Sequence, residues 1–277
     1  KKRIRGKSMS VTKSSKPRWC LLPVFLAVLL LLTGKSYGQD EWEGENGDYK
    51  REPKLKVTLP SKTGVSQYYY VQPVNVSLTN MDASDGLIAL MIAVTTNPQE
   101  KQQVLSARFA TLAHVTAIGT RLRLAGNGQA VVNAQVKTRS GKEITTTGKI
   151  QVDEGVDFSD EVSLTKRLPV NVKGLQGPVG TARARIWKKG KYERQFSAII
   201  YHPMLPQNGE QRPNRLERMD IQYRGSLFGE IEFGDAMSND PYIDIRFTDQ
   251  QPGSGPIRVQ WKDSTGKIFE PEKTSAK

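Results

Sequence analysis

The chain has almost no cysteine and very little histidine: one Cys and two His in 277 residues. Cys20 stands just ahead of an apolar run near the N-terminus, so the chain beyond it has no thiol at all. This excludes disulfide staples, thiolate nucleophiles and cysteine metal ligands from everything that follows. His114 and His202 lie far apart, and no His-x-His, HExxH or paired-cysteine spacing accompanies them. A zinc site is therefore not expected, and each histidine reads first as a packed or hydrogen-bonded residue. A G-x-S-x-G elbow, a P-loop and a dinucleotide fingerprint are also missing. Gly126-Asn127-Gly128 reads as a tight turn, because no helix evidently follows it to receive a phosphate. Long amphipathic helical patterns are lacking as well. These absences point away from catalysis, and no cofactor is expected.

What is present begins with charge. The formal net charge is +13, but much of it stands at the N-terminus, in Lys1, Lys2, Arg3, Arg5, Lys7, Lys13, Lys16 and Arg18. An apolar run from Leu21 to Leu32 follows, then Ser36-Tyr37-Gly38. A basic region, an apolar stretch and small residues in that order predict an export signal over 1–38. The run is shorter than the roughly 20 apolar residues that a membrane span needs. Removing that segment takes away nine of 41 Lys/Arg and none of the 28 Asp/Glu, leaving +4. A nucleic-acid partner is not expected once the basic leader is gone. The expected compartment is the periplasm, with no stable membrane span after processing.

Residues 39–53 are acidic and aperiodic and read as a flexible lead-in. From 54 to 152, period-two alternation recurs. Val74, Val76 and Leu78 share one face; Leu87 to Val94 is a short continuous apolar run; Leu122 and Leu124 alternate with Arg121 and Arg123. Val132, Ala134 and Val136 share a face before a turn at Ser140-Gly141-Lys142 and a closing strand over 145–152. Residues 153–177 read as an acidic, glycine-containing linker. From 178 to 271 the alternation returns, with Ala182, Ala184 and Ile186; Phe196, Ala198 and Ile200; Met219, Ile221 and Tyr223; Leu227, Gly229, Ile231 and Phe233; Ile243, Ile245 and Phe247; and Ile257, Val259 and Trp261. Turn signals at Lys189-Gly190, Arg224-Gly225, Pro252-Gly253 and Thr265-Gly266 separate them. Residues 272–277 form a tail. The expected fold is all-β, two tandem immunoglobulin-like β-sandwich domains after the export signal.

Tyr68-Tyr69-Tyr70 places rings on both faces of a strand, so at least one ring is expected outward or at an interface. With Trp187, His202, Met204 and Phe228, these tyrosines are the candidate residues for a contact between the two halves or with a partner.

The second half resembles SoxZ, the immunoglobulin-like partner subunit of the periplasmic sulfur-oxidation carrier. The resemblance rests on Tyr201-His202-Pro203-Met204, on Asn239-Asp240-Pro241-Tyr242-Ile243, and on Trp261-Lys262-Asp263 with Gly266. The first half resembles SoxY in Asn97-Pro98, Ala107-Arg108-Phe109, Arg121-Leu122-Arg123-Leu124-Ala125, and Val131 to Ala134 followed by Ser140-Gly141. The order is similar to that of fused SoxYZ-like carriers associated with quinoprotein dehydrogenases. SoxY carries sulfur on a cysteine in a glycine-rich C-terminal arm. The corresponding segment here, Ile150-Gln151-Val152-Asp153-Glu154-Gly155-Val156-Asp157, has no cysteine, so covalent thiol chemistry does not carry over. The resemblance implies a non-catalytic accessory protein with a periplasmic protein partner, such as a quinoprotein dehydrogenase or its cytochrome, and an intimate, largely apolar contact between the halves. A non-covalent carrier of a small metabolite or cofactor, held in a groove between the halves, is the alternative.

Overall fold

A computed structural model describes residues 52–59, 71–82, 85–97, 100–110, 113–124, 128–152, 177–202, 204, 215–251, 255–271 and 274–276. The leader, the lead-in up to residue 51, Tyr68-Tyr69-Tyr70 and linker residues 153–176 lie outside them. Every described element is a β-strand. The first half supplies β1 (Lys54–Thr58), β2 (Val71–Thr79), β3 (Leu87–Asn97), β4 (Glu100–Phe109), β5 (His114–Arg123), β6 (Gly128–Thr138) and β7 (Glu143–Val152). The second supplies β8 (Ala182–Lys188), β9 (Glu193–Ile200), β10 (Leu216–Tyr223), β11 (Ser226–Phe233), β12 (Tyr242–Thr248), β13 (Ile257–Asp263), β14 (Ile268–Phe269) and β15 (Thr274–Ala276). Among the described residues, no helix is long and apolar enough to cross a membrane.

The strands hydrogen-bond into one 15-stranded network that is antiparallel except where β15 runs parallel to β8. Between β3 and β5 the register contains only Leu87 opposite Val115, and there the network folds over into two layers. Layer A runs β14-β13-β10-β11-β4-β3-β6-β7; layer B runs β15-β8-β9-β12-β5-β2-β1. Each layer therefore passes through both halves of the chain. In layer A the junction is β4 against β11, from Phe109 opposite Gly229 to Leu105 opposite Phe233. In layer B it is β5 against β12, from Thr120 opposite Ile243 to His114 opposite Thr248.

The alternation read from the sequence points its apolar residues between these layers. Val74, Ile118, Val132, Phe196, Ile221, Ile245 and Trp261 are all buried in one continuous core. The rings of Tyr223, Phe228 and Phe247 link the layers, with Phe228 and Phe247 centroids 4.7 Å apart. The Arg224-Gly225 turn joins β10 to β11 with both residues at positive φ, 54° and 78°. Two consecutive left-handed residues are what a two-residue hairpin of matching twist requires. One expectation about facing changes. By alternation Leu227 shares a face with Gly229, Ile231 and Phe233, but a β-bulge takes Ile221 opposite Gly229 and Gln222 opposite Leu227, leaving Phe228 as the extra residue. The bulge shifts the pleat by one position, so Phe228 is buried and Leu227 is 52% exposed.

Candidate functional site

Three of the stretches that carried the resemblance, Arg121 to Arg123, His202 with Met204, and Asn239 to Tyr242, converge on one place, the loop Gly234–Pro241 between β11 and β12. Its backbone is fastened first to β4. Gly234 N donates to Val104 O at 2.9 Å and Ala236 N to Gln103 O at 3.0 Å. A Cβ on Gly234 would stand 2.1 Å from the Gln103 carbonyl oxygen, so glycine permits this close approach. The loop is fastened next to β5. Arg123 N donates to Ala236 O at 2.9 Å, and Arg123 Nη2 donates to Asp235 O at 2.7 Å. Leu122 bridges Met237 as an isolated β-pair, and the Thr120 hydroxyl donates to Tyr242 O at 2.8 Å. Arg121 lies over the Tyr242 ring, 5.0 Å from its centroid, a cation–π contact. The Arg121-Leu122-Arg123 motif of the first half thus meets the Asn239-to-Tyr242 motif of the second.

Burial sets the electrostatics here. It pushes the Arg123 guanidinium down to about 10, against the opposing pull of Asp235. It lowers Arg121 as well, with Tyr242 and Asp240 opposing. The Tyr242 hydroxyl is pushed up to about 12 by burial and by the neighbouring Asp244 carboxylate, to which it donates at 3.2 Å. These are cations and a phenol keeping their ordinary charge at neutral pH, suited to holding surfaces together rather than to moving protons.

His202 and Met204 brace the loop from behind. His202 N donates to Asp240 Oδ1 at 2.9 Å, Asp240 N returns a bond to His202 O at 3.0 Å, and Met204 N donates to Asn239 Oδ1 at 2.8 Å. Asp240 takes a left-handed φ of 53°, which Asp tolerates better than most side chains. The His202 ring is fully buried, edge-on to Phe269, with Nε2 3.7 Å from Asp263 Oδ2. Burial alone would raise Asp263, but donation from the Thr265 hydroxyl and from the Lys267 and Thr265 amides, with His202 nearby, holds it below the ordinary carboxylate range. That constellation ties the end of β9 in layer B to the end of β13 in layer A.

The predicted residues therefore divide. Phe228 lies at the junction of the halves, 6.1 Å edge-on from Phe109 of β4, and its carbonyl accepts from Ala110 N at 2.9 Å. His202 and Met204 support the loop that makes the junction. Trp187 stands apart, half-buried on the outer side of β8 opposite Gln195. The tyrosine run lies outside the described residues. Sequence reasoning missed Arg123, Asp235 and Met237; a buried arginine in a strand reads as solvent-facing by alternation, and only its cross-chain partners show otherwise. Among the described residues, no group of three or more His, Cys, Asp or Glu is placed to hold a metal ion.

Comparison with known proteins gives this geometry a context. A family model described as "Sulphur oxidation protein SoxZ" matches residues 188–274, so the chain carries a SoxZ domain from the end of β8 into β15. No curated protein matches the chain. Among solved structures, native alfa-L-rhamnosidase from Aspergillus terreus aligns at 8% identity with a TM-score of 0.28, over 80% of this chain and 29% of that one. The chain thus spans under a third of that structure's length.

Proposed function

We propose that this chain is a non-catalytic, exported interaction protein of the sulfur-oxidation carrier type, in which the first half permanently occupies the partner-facing edges of the SoxZ domain. One observation carries the reading: β11 and β12, one edge in each layer, are both paired within the chain, by β4 and β5. A SoxZ domain so occupied has its partner in cis at high effective concentration. What it then offers to others is the outside of the joined halves. Without a thiol beyond Cys20, the joined unit presents and positions; it does not carry sulfur covalently. The system it serves is that of a quinoprotein dehydrogenase, following the gene-fusion type that the sequence resembles.

Native mass spectrometry of the protein released from its own periplasm tests this reading. The expected result is a mass beginning near Gln39 with a retained protein partner. A retained small molecule with no protein would favour a non-covalent carrier. A sulfane or sulfonate adduct on residues 39–277 after exposure to thiosulfate would overturn the non-covalent assignment.

A further inference from the structure

The outer faces of the two layers differ in how their charges are balanced. On layer A, cations and carboxylates interleave. Arg218 pairs with Asp220 and with Glu230, Arg258 with Glu270 and Lys137 with Glu143. Layer B is built otherwise. Its registers set outward residues in rows that cross the junction of the halves. One row runs Lys56, Ser77, Ala117, Arg246, Gln195 and Trp187, from β1 to β8. The next runs Asn75, Gly119, Asp244, Ser197 and Arg185. A third brings Arg121 beside Tyr242, then Ile199 and Arg183. Lys54, Lys56, Arg185 and Arg246 are exposed. Against Lys54, Lys56, Arg121, Arg185 and Arg246, the described outward residues of these strands include the carboxylates Asp244 and Glu193 alone. The floor between the cations is small, with Gly119 and Ala117 buried.

We propose that this outer face of layer B docks an acidic surface of a folded protein. The inference rests on the interaction-protein reading and names the chemistry of the partner. Arginine is the cation best shaped to meet carboxylates, in two parallel hydrogen bonds. Trp187 and Tyr242 add the aromatic anchors typical of protein interfaces. A phosphate-rich polymer or lipid surface fits less well, because the Asp244 carboxylate stands in the middle row, fixed by Gln195 Nε2 at 2.6 Å and by the Tyr242 hydroxyl. A polypeptide brings backbone N–H donors to that carboxylate alongside its own carboxylates, which a run of phosphodiesters does not. The six strands span roughly 24 Å at the usual strand spacing, which suits a small, transient, salt-sensitive contact.

The test uses the mature full chain and labelled poly-L-glutamate as the acidic polypeptide, read by fluorescence anisotropy at several salt concentrations. Arg185→Glu with Arg246→Glu reverses two charges on layer B. Arg108→Glu with Lys262→Glu reverses two on layer A and changes the net charge equally. The first pair is expected to weaken binding by at least roughly tenfold, the second by no more than about threefold. Equal loss from both pairs, or no binding by the unaltered chain, overturns the proposal. So does tighter, layer-B-dependent binding of heparin or of phosphatidylglycerol vesicles. If the Glu pair melts early, Arg185→Gln with Arg246→Gln, read against Arg108→Gln with Lys262→Gln, replaces it. A native partner still retained by the layer B variant would overturn the face and leave the interaction reading intact.

Discussion

Individual carboxylates, Asp249 and Asp263 among the buried ones, lead us to expect a dependence of the fold on pH. Asp249 accepts from the Tyr223 hydroxyl at 2.7 Å, from Arg224 Nη2 at 3.0 Å and from Gln251 N at 2.9 Å. Burial works to raise it, and these donors outweigh burial and hold it below the ordinary carboxylate value. Asp263 and Asp85 are lowered by the same competition. A carboxylate whose folded value is depressed contributes stability that is complete above its unfolded value, near 3.9. That contribution is lost as pH falls through the folded value. The denaturation midpoint should therefore stay nearly level from neutral pH down to about 4 and drop steeply below it. Asp249→Asn should make the drop shallower, and urea titrations at stepped pH would show this; an unchanged acid limb would mean that other groups control it. Tyr223→Phe should cost about 1–2 kcal/mol at neutral pH, because it leaves Asp249 and Gly255 N each short of a partner. The tyrosine's inward side was legible from its period-two neighbours Met219 and Ile221. Its bond to Asp249 was not, because alternation says which face a residue takes but not what it meets there.

At the scale of elements, strands whose pattern is set by the core were plain, and those whose pattern is set by the junction were not. Val132, Ala134 and Val136 alternate cleanly because, among the described residues, the face of β6 opposite the core meets no second layer. β4 reads Glu-Lys-Gln-Gln-Val-Leu-Ser-Ala-Arg-Phe, and its polar start hides a strand that is paired on both sides, by β3 and by β11. The loop 234–241 was likewise invisible as a fastening, since its partners, Gln103, Val104 and Arg123, stand more than 100 positions earlier. Two glycines separate turn effects from junction effects. Gly225 has φ 78° with open space where a Cβ would go, so Gly225→Ala should cost only about 1–2 kcal/mol through backbone strain. Gly234→Ala drives a methyl into the Gln103 carbonyl and must displace the loop from β4; a cost of about 3 kcal/mol or more is expected. Hydrogen exchange would distinguish them. Gly234→Ala should expose the Ala236 amide, which the Gly225 variant should leave protected.

For the molecule as a whole, the question is whether the two halves move as one. The resemblance implies an intimate, largely apolar contact between them. Among the described residues the contact is apolar and is also made through the main chain. Main-chain pairing joins the halves in both layers, and the apolar core runs through the junction at Phe109, Phe228 and Phe247. Strand pairing in two layers resists hinging better than one apolar patch, because rotation about either junction breaks hydrogen bonds in the other. Relaxation measurements by NMR on residues 39–277 should therefore give one rotational correlation time for β2 to β7 and for β8 to β13. The amides of Ala107 and Ile231, at the layer A junction, and of Ile118 and Ile245, at the layer B junction, should exchange as slowly as those of Val132 and Val259 in the interior. Lengthening the linker between residues 153 and 177 by ten glycine-serine residues should change neither result, since the paired strands and not the linker hold the halves. Two distinct, shorter correlation times would show that the junction opens in solution. A docking face built from rows that cross from β5 to β12 would then lose its geometry, and with it the arrangement of Arg246 beside Ala117 and of Arg121 over Tyr242 on which that face depends.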